Sequence, residues 1–198
     1  MKLEPLYALI FAVLMVLTIP QPDYSPATVP TVAATVEAAA EMAPAPSDCG
    51  PQPERFEVDP RIGDAIGAWP IWVALPERDG RAVIAFSRDH NHTDPALPGW
   101  WDTKVGWFVK KTYKGEVKLS GFNVADHSPI YFDIGQISHT AQPILNPEQP
   151  GGFISGLDDW AFFPSLLWVS KGGCYTLSAE WNGGLWGQTV PVGYVEGW

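Results

Sequence analysis

Between Cys49 and the C-terminal end, apolar and polar residues alternate with a period of two, and no stretch repeats at helical spacing. Residues 69–75 (WPIWVAL) and 81–88 (RAVIAFSR) flank Arg78-Asp79-Gly80, and Asp-Gly between two apolar runs predicts a β-hairpin. Residues 104–111 (KVGWFVKK) and 116–122 (EVKLSGF) flank Tyr113-Lys114-Gly115 in the same way. In the second run Val117 and Leu119 share one face, and Glu116, Lys118 and Ser120 share the other. Residues 130–134 (IYFDI) predict a fifth strand. Residues 160–169 (WAFFPSLLWV) are apolar but contain Pro164, which has no N–H, so this run is expected at a sheet edge or with a bulge. Residues 175–181 and 185–192 predict a last hairpin around Asn182-Gly183-Gly184, whereas 137–153 is polar, rich in Pro and Gly, and reads as a long loop. About eight short strands with closely spaced turns predict an all-β fold, an antiparallel β-sandwich.

The chain before Cys49 follows another pattern. Residues 1–19 (MKLEPLYALIFAVLMVLTI) place one lysine ahead of an uncharged apolar run from Leu6 to Ile19, closed by Pro20. As a helix this run would span about 21 Å, against about 30 Å of bilayer core, which suits a secretory signal segment better than a membrane span. The nearest small-x-small cleavage site is Ser25-Pro26-Ala27, so an uncleaved N-terminal anchor is the alternative; no cysteine follows the run to carry a lipid. Residues 20–48 are mainly Pro, Ala, Thr and Val, bury too little surface to offset the entropy of ordering, and read as a linker or stalk. The expected organisation is a signal peptide or anchor over 1–19, a linker over 20–48 and a β-domain over 49–198. The protein is expected outside the cytoplasm, secreted or tethered at the membrane by its N-terminal segment.

At 198 residues, with 46% apolar and 13% aromatic residues, the chain can build one core. Its net charge of −10 argues against general nucleic-acid binding, which needs a basic field. There are two cysteines, Cys49 and Cys174. In 175–181, Tyr175, Leu177, Ala179 and Trp181 share one face; Cys174 has the parity of the other, polar face. Its sulfur is therefore expected near the surface rather than between sheets. Cys49 is its one possible partner within the chain, and an exported protein favours the bridge, with two free thiols or an intermolecular bridge as alternatives.

Three short motifs resemble a family of exported bacterial proteins of unassigned activity that carry one immunoglobulin-like domain. Cys49-Gly50-Pro51 is similar to its Cys-Pro start, though with a glycine intervening. Lys104-Val-Gly-Trp107 followed by Gly115-Glu-Val-Lys-Leu119-Ser-Gly121 is similar to its middle. Gly173-Cys174-Tyr175-Thr-Leu177-Ser178 is similar to its Gly-Cys-Trp strand near the end, with Tyr in place of Trp. The resemblance implies an immunoglobulin-like β-sandwich with a terminal disulfide, and implies no activity.

Candidate chemistry lies in three places. His90, His92 and Asp94 are spaced by two, so on an extended strand they share a face and can ligate a transition metal; the other reading is a polar loop ahead of Pro95 and Pro98. Trp100 and Trp101, with Asp102, sit in a Pro/Gly-bounded loop and offer the aromatic and polar groups of a sugar site, or else pin that loop to the core. Trp69, Trp72, Trp107, Trp168 and Trp181 are expected to fill the core. Lys104, Lys110, Lys111, Lys114 and Lys118 gather in one expected hairpin, as a basic surface for an anionic polymer or lipid or as a solvated face. No nucleophile elbow or zinc-protease motif is present, and Asp158 and Asp159 are adjacent, so they point to opposite faces. The sequence thus reads as a non-catalytic module without a cofactor, its partner an envelope protein or polysaccharide. A Trp-rich carbohydrate-binding module is the alternative, and a metal-dependent hydrolase around His90 and His92 a third reading.

Overall fold

The computed structural model describes residues 42–51, 53–60, 62–78, 80–86 and 94–195. The expectations for the signal segment, for most of the linker and for His90 and His92 lie outside the described residues. Among those described there is no helix, and hence none that is long and apolar enough to cross a membrane.

The described residues form fourteen strands: β1 (Arg55–Asp59), β2 (Gly63–Ala68), β3 (Ile71–Ala74), β4 (Glu77–Arg78), β5 (Arg81–Ala82), β6 (Ile84–Phe86), β7 (Trp101–Lys110), β8 (Val117–Asn123), β9 (Tyr131–Ile134), β10 (Ile137–Thr140), β11 (Ile144–Leu145), β12 (Trp160–Val169), β13 (Gly173–Trp181) and β14 (Gly184–Tyr194). Seven make one sheet in the order β1-β2-β3-β7-β12-β9-β10; five make a second, β11-β8-β13-β14-β6; β4 and β5 stand apart as a small ribbon. All pairings are antiparallel except β6 with β14. The main core takes Ile71, Val73, Trp107, Val109, Phe132 and Leu167 from the first sheet and Leu119, Tyr175, Leu177 and Val190 from the second. The period-two pattern dictates this: inward residues of both sheets are apolar, and burying them is the main favourable term in folding.

The last hairpin forms as the alternation predicts, with Trp181 opposite Gly184 and Gly183 at φ +94° in the two-residue turn. The other two expected hairpins do not form. Residues 71–74 lie in the seven-stranded sheet, whereas Ile84–Phe86 crosses over and pairs in parallel with β14; only the short β4–β5 ribbon closes around Gly80. Likewise β7 and β8 belong to different sheets, so Tyr113-Lys114-Gly115 is a corner between layers. Strands also form where a loop was expected, as β10 and β11 lie within 137–153.

Pro164 does not put its strand at an edge or in a bulge. β12 pairs with β7 over ten residues without a register shift. The Phe162 carbonyl accepts from Gly152 N–H on the side away from β7, so by alternation Pro164 also turns its backbone groups that way. On that side β9 pairs only from Ser165 onward. The missing N–H therefore falls where no ladder bond is required.

Cys49 and Cys174 are bridged, with Cα atoms 5.5 Å apart and a sequence separation of 125. Tyr175 and Leu177 are buried while Cys174 is half-buried on the opposite face of β13, as its parity requires. Closing so long a loop stabilises the fold by about 4–5 kcal/mol in the chain-entropy account. Residues ahead of the bridge also pack on the domain. Met42 reaches the main core, and residues 43–45 run beside β14, with Ala45 N–H donating to Tyr194 O and Tyr194 N–H donating to Ala43 O. The linker expected over 20–48 therefore ends in a strap that belongs to the domain.

Candidate functional site

The outward face of the seven-stranded sheet is built in rows, because directly paired residues of neighbouring strands point to the same side. Asp102, Trp168 and Tyr131 form one row; Lys104, Leu166 and Asp133 form the next. Ala74, Gly106 and Pro164 follow, and then Trp72, Phe108 and Phe162. A row of small side chains thus lies between two rows of large ones. Wall rows two residues to either side stand about 13 Å apart along the strands. The result is a trough of about 660 Å³, floored by Ala74, Gly106 and Pro164 and walled by Lys104, Leu166 and Asp133 on one side and Phe162 on the other.

Loops raise both walls. On the aromatic side Phe108 and Phe162 stack at 5.1 Å, and Leu157 packs with Trp72, Phe108 and Trp160 in a second cluster. Gly106 makes room for this wall: a Cβ there would meet Phe162 Cε2 at 3.0 Å and Phe108 Cε2 at 3.1 Å. On the polar side Asp133 is held firmly. Its Oδ2 accepts from Trp168 Nε1 at 2.8 Å and its Oδ1 from the backbone N–H of His139 at 2.6 Å. His139, at φ +48°, lays its ring edge-on to Trp168 at 5.6 Å. Its buried Nε2 lies 3.2 Å from Asp94 Oδ2 and 3.9 Å from Asp133 Oδ2, within ion-pair reach but out of line for a hydrogen bond. Asp94 in turn caps its own turn, accepting from Ala96 N–H.

The residues singled out in the sequence are distributed differently. Trp100 packs on Tyr131 at 5.0 Å, on the outward side. Trp101 opens β7 and packs on the main core, so the expected exposed pair is split between faces, and Asp102 is buried. These three do not make a platform, because β7 begins earlier than the sequence suggests and alternation then turns Trp101 inward. Of the five lysines, Lys104 and Lys110 lie on the outward face of β7 and Lys118 on the outward face of the other sheet. The basic surface therefore does not assemble, since its two strands belong to different layers. Lys110 sits 3.8 Å above the Trp160 ring, and Lys114 pairs with Glu148 at 3.8 Å. Lys111 is exposed in the corner before β8.

Trp107 fills the main core as expected and Trp181 packs partly buried against it, whereas Trp72 and Trp168 are buried on the outward face of the seven-stranded sheet and not between the sheets. Trp69 is 56% exposed, against Tyr113 at 5.6 Å, and so is no core residue. Asp94 is the described member of the expected metal triad, and it faces His139. Among the described residues no three His, Cys, Asp or Glu side chains are grouped to hold a metal. Sequence reasoning missed Asp133, His139 and the floor of the trough. The one available signal was the outward parity of Asp133 within IYFDI. No protein-family model, curated protein or solved structure matches the chain.

Proposed function

We propose that the domain is an exported immunoglobulin-like module that acts at the cell envelope by binding rather than by catalysis. The observation that carries this reading is the trough: a concave face on a rigid sheet, with an apolar floor and a few fixed polar groups, has the make-up of a recognition site. Asp133 accepts hydrogen bonds on both oxygens, which suits a fixed acceptor better than a proton shuttle. The strand order supports the immunoglobulin-like assignment and the family resemblance. β3-β7-β12-β9 faces β8-β13-β14, with β6 parallel to β14, which corresponds to an A-B-E-D sheet over C-F-G. Tyr175, at the start of β13, donates its hydroxyl to Lys171 O at 3.0 Å, in the manner of the tyrosine corner of that fold. The Cys49–Cys174 bridge supports an oxidising compartment.

The test is cell fractionation of the full chain combined with thiol alkylation before any reductant is added. The expected result is envelope or extracellular protein with no alkylatable cysteine. Cytoplasmic protein with two alkylated thiols would overturn the reading.

A further inference from the structure

The trough also constrains the chemistry of its occupant. We propose that it takes a neutral, β-linked polysaccharide chain lying across the strands; this rests on the binding reading above. Lys104 and Asp133 stand on one wall on either side of Leu166, one a donor of hydrogen bonds and the other an acceptor, two strands apart, about 10 Å. A polyhydroxyl ligand satisfies both, because each hydroxyl donates and accepts. An anionic chain would face Asp133 within a protein of net charge −10, and a cationic one would face Lys104. β-linked pyranose chains are flat ribbons with hydroxyls on their edges and C–H groups on their faces. The ribbon face fits the floor of Ala74, Gly106 and Pro164, with the Phe162 ring closing the apolar side. The sugar site moves away from Trp100 and Trp101, which are occupied with Tyr131 and the core.

The experiment is affinity electrophoresis of the full chain in gels containing hydroxyethyl cellulose, mixed-linkage β-glucan or glycol chitin, all neutral and β-linked. Migration should be retarded by at least one of the three. Lys104→Ala, at an exposed position, and Ala74→Leu, which fills the floor, should each weaken retardation about tenfold or more (~1.4 kcal/mol or more by the relation of affinity to free energy). Lys118→Ala, on the opposite sheet, should leave it unchanged. Thermal midpoints of the variants establish that they are folded; if Ala74→Leu unfolds, Lys104→Ala alone decides. No retardation in any gel overturns the proposal, yet leaves the fractionation and thiol results standing. Retardation that survives both trough variants overturns the site. Protection of the Lys104 amine from acetylation by a proline-rich peptide, and by none of the glycans, overturns the choice of occupant.

Discussion

At the residue scale, the structure turns on which face a side chain is given and what meets it there. Lys171 and Asp126 form an exposed pair at 2.5 Å. The hydrogen bond from Lys171, with further bonds from the Ser128 N–H and hydroxyl, lowers the Asp126 carboxyl from 3.8 to about 2, while Asp126 raises Lys171 above its usual 10.5. A depressed carboxylate stabilises the fold fully above its unfolded value, so the contribution of Asp126 should fade as pH falls from about 4 toward 2. The raised amine works the other way: its contribution is complete below 10.5 and is lost as pH climbs through the folded value. An NMR titration should show Asp126 protonating near 2, and Lys171→Met should move that midpoint up toward 3.8. A midpoint near 3.8 in the parent chain would mean that the pair does not form in water. Parity placed Cys174 correctly from sequence. It could not place Trp101, because parity needs the strand's first residue, and Pro98-Gly99 gives no sign that β7 starts just after it.

At the scale of elements, alternation identifies strands but not the layer to which each belongs. The hairpin of β13 and β14 was legible because its turn is local, with Asn182-Gly183 supplying the backbone that a two-residue connection needs. The pairing of β6 with β14 spans more than a hundred residues and leaves no local mark. Strands β1, β2, β10 and β11 are short and mostly half-exposed, so their apolar contrast is weak. The trough was hidden for a related reason. Its floor consists of small residues from three strands, and small residues carry no periodic signal. The strap at 43–45 is equally nonlocal, and it depends on Gly193, where a Cβ would meet Ala45 N at 2.5 Å and Ala43 O at 2.7 Å. Backbone cannot yield as a side-chain tip can. Gly193→Ala should therefore expel the strap at a cost of about 1–3 kcal/mol. Hydrogen exchange should show lost protection at Ala45 and Tyr194, with the β7–β12 ladder unchanged. Retained protection at Ala45 would mean that the strap is not held at Gly193.

At the scale of the whole molecule, one covalent link sets how the described chain responds to being pulled. The bridge joins Cys49 to Cys174, and every strand that builds the trough lies between those two positions. Tension applied between residues 42 and 195 passes from Cys49 through the sulfurs into β13 and β14, and the intervening chain stays outside the path of the force. In single-molecule stretching, rupture of the oxidised protein should release about 10 nm of chain, at ~3.5 Å per residue, against about 50 nm after reduction. Equal extensions in the two states would show that the bridge does not shield the sheet. In the oxidised protein the mechanical fuse is the pair of C-terminal strands. A tethered molecule under shear would thus lengthen there, while the strands carrying Lys104 and Asp133 bore no tension, and grip and give would reside in different strands.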